Sequence, residues 1–220
     1  MLPSVESLNK HELTIRHSAD GFSYVFTDSD KKIILFDNDK HTFVPAALYL
    51  ENKKEKYLDF LGLTKEKDVI CTDYISNADA YNIYQISEQD FQTLNDSTEK
   101  TEYYHVSSVL VSDLIKLNQE RTDDPRIYLN IKNMGFEMIV LKGCKLLFNN
   151  NFRFKTKEDF LYFLLFSIEQ LHLDAGSVPV YFLGMIEEKS KLVEITARYV
   201  RDIRFMSKDF NFLYKSKTCE

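Results

Sequence analysis

Five histidines, three cysteines and six glycines are the residues through which this chain could do chemistry, and their spacing excludes more than it offers. His11, His17, His41, His105 and His172 have no metal-ligand spacing of the H-x-x-x-H kind. Cys71, Cys144 and Cys219 are odd in number and far apart, which fits neither a disulfide framework nor a zinc site. There is no Gly-x-Ser-x-Gly elbow, and no cysteine has a histidine beside it in sequence. No two glycines lie closer than eight positions apart, so a Gly-rich phosphate cradle, whether P-loop or dinucleotide fingerprint, is excluded. The sequence predicts no catalytic residue and no metal.

The elements that would position any site are clearest between Ile127 and Leu173. Residues 127–131, 136–141 and 146–152 are apolar runs separated by short polar turns, the first alternating as Ile127, Leu129, Ile131. Lys142-Gly143 supplies a tight turn, because glycine takes positive φ without steric cost. Thr156, with Asp159 three residues on, has the spacing of a capping box ahead of Phe160, Leu161, Phe163, Leu164 and Ile168. Tyr162 falls on the opposite side of that helix. A strand over 179–183, a helix over 190–200 with Leu192, Ile195 and Tyr199 inward, and a strand over 203–206 complete a βββαβαβ order. Helix-linked strands imply a partly parallel, mixed sheet with helices on its faces.

The first half repeats the layout more weakly. Residues 13–17, 21–26 and 32–36 read as three strands, with Gly21-Phe22 matching Gly135-Phe136, which predicts an internal duplication. Pro45 suits the first position of a helical turn, and 52–67 reads as a short helix between loops. Residues 68–71, 81–86 and 103–106 are strand candidates. Ser87 and Asp90 cap one helix, and a second over 107–118 places Leu110, Leu114 and Leu117 on one face. The polar stretch 119–125 is the best boundary, predicting domains 1–122 and 123–220.

Composition sets the outer limits. Hydrophobic residues make up 44% and charged residues 28% of 220, as in a globular protein. No apolar run suits a transmembrane helix, the amino terminus lacks a secretory leader, and the few cysteines point to a reducing cytoplasm. A net charge of −6 opposes nucleic-acid binding. The halves differ, with 13 basic and 21 acidic groups up to residue 122 against 15 and 13 beyond it.

Two βββαβα-type lobes in tandem, each opening with a Gly-turn hairpin, resemble the actin-like ATPase fold (ribonuclease H-like) of actin, sugar kinases, heat-shock 70 chaperones and PilM-type pilus assembly proteins. The stretch YLNIKNMGFEMIVLKGCKLLFNNNF is similar to the PilM-type hairpin that carries a second phosphate loop. With TIRHSADGFSYVF and LLFNNNFRFKTKEDFLYFLL, the chain also resembles an uncharacterised bacterial family, domain of unknown function 3822.

The resemblance implies phosphate-binding turns at His17-Ser18-Ala19-Asp20-Gly21 and Asn130-Ile131-Lys132-Asn133-Met134-Gly135. It implies an adenosine turn at Leu183-Gly184-Met185. Ser18 and backbone amides could meet phosphate, and Asp20 a metal. At the second turn Asn130 replaces the family aspartate and cannot supply the charge that holds a hydrated cation. Lys132 could pair with phosphate; Gly184 stands alone between bulky neighbours. The expectation is therefore a non-catalytic scaffold or regulatory adaptor of actin-like fold, with a cleft between its lobes and no cofactor. Its partner is a protein or peptide segment, and by analogy with PilM-type relatives a peripheral place in a membrane complex follows. The alternative is an ATP-binding switch with magnesium, using Ser18, Asp20, Gly21, Asn130, Lys132 and Gly184.

Overall fold

A computed structural model describes residues 2–8, 12–18, 21–28, 31–59, 62, 68–95, 101–119, 123–133 and 135–206. Two compact units are present, Met1–Leu114 and Ile115–Glu220. Their division falls inside a helix, Val106–Asn118.

After a short helix α1 (Val5–Leu8), the first unit lays down an antiparallel meander of β1 (Glu12–Ser18), β2 (Gly21–Asp28) and β3 (Lys31–Asn38). The chain then builds a smaller antiparallel sheet from β4 (His41–Pro45), β5 (Val69–Ile75) and β6 (Ala80–Ile86), with β6 central. Pro45 ends β4 and caps a 3₁₀ turn at Ala46–Leu48, so it stands one place before the expected position. The expected helix over 52–67 is shorter: a 3₁₀ turn at Glu51–Lys53 leads into α2 (Lys54–Asp59), anchored by fully buried Leu58. Residues 60–61 and 63–67 lie outside the described residues.

Next come α3 (Glu88–Asn95), capped by Ser87 and Asp90 as expected, then β7 (Thr101–His105) and α4 (Val106–Asn118). Strand β7 runs parallel to β3, giving the order β1-β2-β3-β7. This departs from the second unit, where the returning strand joins the first strand of the meander. The difference follows from sequence: Ile33, Ile34, Leu35 and Phe36 are buried in succession, the mark of an interior strand covered on both faces. Leu117 is exposed, whereas Leu110 and Leu114 are buried with Val106, Val109, Val111 and Ile115.

The second unit has the βββαβαβ order. β8 (Pro125–Ile131), β9 (Gly135–Lys142) and β10 (Lys145–Arg153) form an antiparallel meander, joined by α5 (Lys157–Gln170) to β11 (Val180–Gly184). α6 (Lys191–Thr196) leads to β12 (Ile203–Phe205). The sheet order is β10-β9-β8-β11-β12, with β11 parallel to both β8 and β12.

Gly143 turns β9 into β10 at φ +54. A shift of register between Leu146 and Phe148 puts a bulge in β10. The Thr156–Asp159 capping box is present at α5, each side chain meeting the other's backbone N–H. One face of the sheet, with Ile127, Leu129, Ile131, Phe136, Met138 and Val140, packs on Phe160, Leu164 and Ile168 of α5. Tyr162 points away from that core and is 61% exposed. α6 is shorter than expected, and Tyr199 is exposed rather than inward. Among the described residues no helix is long and apolar enough to cross a membrane.

Candidate functional site

In open α/β sheets ligands gather outside the carboxyl ends of the parallel strands. In the second unit that place is where β8 ends at Asn130 and Ile131, with Lys132 just beyond, beside the end of β11 at Gly184. Alternation along β8 sends Ile127, Leu129 and Ile131 into the apolar core and leaves Tyr128 and Asn130 for the other face. Asn130 faces Glu137 across the β8–β9 pair. Glu137 is fully buried, and its carboxylate accepts hydrogen bonds from Asn149 Nδ2 at 2.7 Å and Asn130 Nδ2 at 3.4 Å. Lys132 Nζ stands 3.7 Å from the same carboxylate, with 11% of its side chain exposed. The turn thus holds a buried carboxylate, two carboxamides and an ammonium directed at one another, as a buried charge requires.

Gly184 closes this place from the other strand. Its φ is +85, and a Cβ there would strike the Ile131 carbonyl oxygen and meet Asn130 Oδ1 at 2.6 Å. The Met185 N–H donates to that same Ile131 carbonyl at 2.8 Å. Glycine here serves the close approach of β11 to β8. At the first turn, Ser18 and Gly21 are register partners at the end of the β1–β2 hairpin. Asp20 lies outside the described residues. Among those described, no group of three or more His, Cys, Asp or Glu side chains is placed to hold a metal ion.

A second polar cluster, inside the first unit, was not foreseen from the sequence. His41 of β4, Asp73 of β5, Asn82 and Tyr84 of β6, His105 at the end of β7, and Ser107 and Ser108 of α4 are all buried. His41 Nδ1 lies 3.2 Å from Asn82 Oδ1 and His41 Nε2 lies 3.3 Å from Ser107 Oγ. Asn82 Nδ2 donates to Ser108 Oγ at 2.9 Å. Asp73 accepts the His105 N–H at 2.8 Å and the Tyr84 hydroxyl at 3.2 Å. Burial pushes its carboxyl up to about 6, against the pull of the His105, Ser108 and Tyr84 donors. Burial likewise lifts the Cys71 thiol to about 11, which disfavours its thiolate. The sequence signal was slight: a Ser107-Ser108 pair in the first turn of an amphipathic helix, and histidines closing or opening strands far apart in the chain.

A family model described as "Protein of unknown function (DUF3822)" matches residues 30–203. The chain is similar to a crystal structure from Bacteroides thetaiotaomicron, described as a protein with actin-like ATPase fold and unknown function. Identity is 16%, 100% of each chain is covered and the TM-score is 0.79. It is also similar to a chain of a PilM–PilN type IV pilus biogenesis complex, at 10% identity over 78% of this chain and 67% of that one, with a TM-score of 0.45. No curated protein matches. The Bacteroides likeness shows the fold: α/β, with mixed sheets in the actin-like arrangement.

Proposed function

The chain belongs to the DUF3822 family of proteins of unknown function, and on that premise we propose that it is a non-catalytic scaffold or regulatory adaptor built on the actin-like fold. The observation that carries this reading is the enclosed Glu137 at the second turn. Its carboxylate engages both Asn130 and Lys132, the two side chains a nucleotide phosphate would need there. A phosphate approaching Lys132 would compete with a buried carboxylate that cannot turn to water, and stripping that partner is costly. Gly184 is committed to strand packing, with Ile131 and Asn130 filling the space beside it. The residues of this turn therefore do not fit a magnesium nucleotide.

A protein or peptide segment suits the chain better than nucleic acid, given the net charge of −6. Among the described residues no strand pairs with the outer side of the short edge strand β12, where such a segment could add as a further strand. A peripheral place in a membrane-anchored assembly is consistent with that role. Calorimetry and thermal melting of the full chain with ATP and magnesium test the reading. No heat and no shift in melting temperature are expected. Micromolar binding that Lys132→Ala or Gly21→Val weakens would overturn it in favour of a nucleotide switch.

A further inference from the structure

Ser107 is held at both of its polar ends by imidazoles. Its N–H donates to His105 Nδ1 at 3.1 Å, and its hydroxyl stands 3.3 Å from His41 Nε2. His105 directly precedes α4, so its ring fills the N-cap place that Ser, Thr, Asp or Asn usually fills. The tautomers follow from the partners. Asn82 gives its amide hydrogens to Ser108 and so turns its oxygen toward His41 Nδ1. An amide oxygen only accepts, hence His41 carries its proton on Nδ1 and receives the Ser107 hydroxyl at Nε2. His105, accepting at Nδ1, carries its proton on Nε2. The two ring centroids are 4.2 Å apart and both residues are buried. The order Ser107, His41, Asn82 matches nucleophile, base and orienting group. All three are buried, so a substrate from outside does not reach them.

We propose that this histidine cap is a proton-operated latch: acid charges His105, its Nδ1 loses the lone pair that holds the Ser107 N–H, and the first turn of α4 lets go of β7. An imidazolium has two donors and no acceptor, so the Ser107 N–H loses its acceptor at His105 Nδ1, whereas a charged His41 keeps its serine by donating Nε2–H to the hydroxyl oxygen. The His105 ring meets the His41 ring of β4 at 4.2 Å and the Tyr84 ring of β6 at 5.1 Å, Asp73 of β5 accepts its backbone N–H, and α4 contributes the N–H and hydroxyl of Ser107. Asp73 is the counter-charge an imidazolium would use, and its own carboxyl protonates at about 6. Acid therefore withdraws the anion while it charges the rings. The positive end of the α4 dipole opposes the imidazolium as well.

Native-state hydrogen exchange on the full chain, with nitrogen NMR of the imidazoles, tests the latch between about pH 7.5 and about pH 5, the range in which histidine titrates. The Ser107 amide should lose about five- to tenfold of its protection, after correction for intrinsic exchange and in step with ring protonation, as loss of a cap predicts. His105→Asn supplies a cap that does not titrate and should keep its protection throughout. Rings that stay neutral down to about pH 5, or that charge while the Ser107 amide stays protected, would overturn the proposal, as would the same loss in His105→Asn. Should that variant fail to fold, coincidence or non-coincidence of the two signals in the unsubstituted chain decides alone.

Discussion

Replacing Lys132 by methionine keeps most of the side-chain volume and removes the ammonium 3.7 Å from Glu137. Two unit charges near that separation attract by about 4 kcal/mol at an effective dielectric constant of about 20. Glu137 is wholly enclosed, so its carboxylate has no water to fall back on. Breaking a buried pair from one side costs roughly 3–5 kcal/mol, whereas removing both charges is close to neutral. The Asn130 and Asn149 amides still donate to the carboxylate and Lys132 is partly exposed, which places Lys132→Met at the lower end, about 3 kcal/mol. With a urea dependence of about 2 kcal/mol per molar, the unfolding midpoint should fall by about 1.5 M. The double variant Lys132→Met/Glu137→Gln should recover most of that loss, because the glutamine carboxamide fills the same space without charge. If the single variant unfolds within about 0.5 kcal/mol of the unsubstituted chain, the size of an ordinary surface change, the ammonium is not serving Glu137. The idea that this turn satisfies its charges internally then falls with it.

Three further outcomes are expected. The Asp73 carboxyl, lifted by burial to about 6, sits above its ordinary value, so the folded state binds the extra proton between about pH 4 and about pH 6. Relative to Asp73→Asn, the stability of the unsubstituted chain should be highest below that window and drop by about 3 kcal/mol as pH rises through it; parallel denaturation curves at both ends would contradict this. Gly184→Ala should cost at least about 2 kcal/mol in thermal melts, because φ is +85 and the added Cβ runs into Ile131 and Asn130. Thr156→Ala removes half of the α5 capping box and should cost about 1 kcal/mol, with Thr156→Ser nearly neutral.

What the sequence disclosed was local. The Thr156–Asp159 and Ser87–Asp90 caps, the Gly143 turn and the meanders are written within a few residues of one another, so spacing alone reveals them. Pairings across the chain are not written that way. The place of β7 beside β3 depends on which strand of the first meander is interior, and only the unbroken run Ile33 to Phe36 hinted at it. The capping pair His105 and Ser107 is close in sequence, yet His41 lies 66 positions from Ser107. The one buried charge at the second turn did leave a trace: Glu137 interrupts an apolar strand that is otherwise buried from Gly135 to Leu141, where a carboxylate must find donors. Reading that interruption as a demand for partners would have pointed to Asn149 and Lys132.

The two outer strands of the second unit's sheet are unequal. β10 is kinked between Leu146 and Phe148, and such a kink twists a border away from any chain that tries to lie along it. β12, at the opposite border, is only three residues long. Head-to-tail growth needs two matching borders on every copy. A kink at one border and a very short strand at the other both disfavour edge-to-edge growth of this sheet from copy to copy.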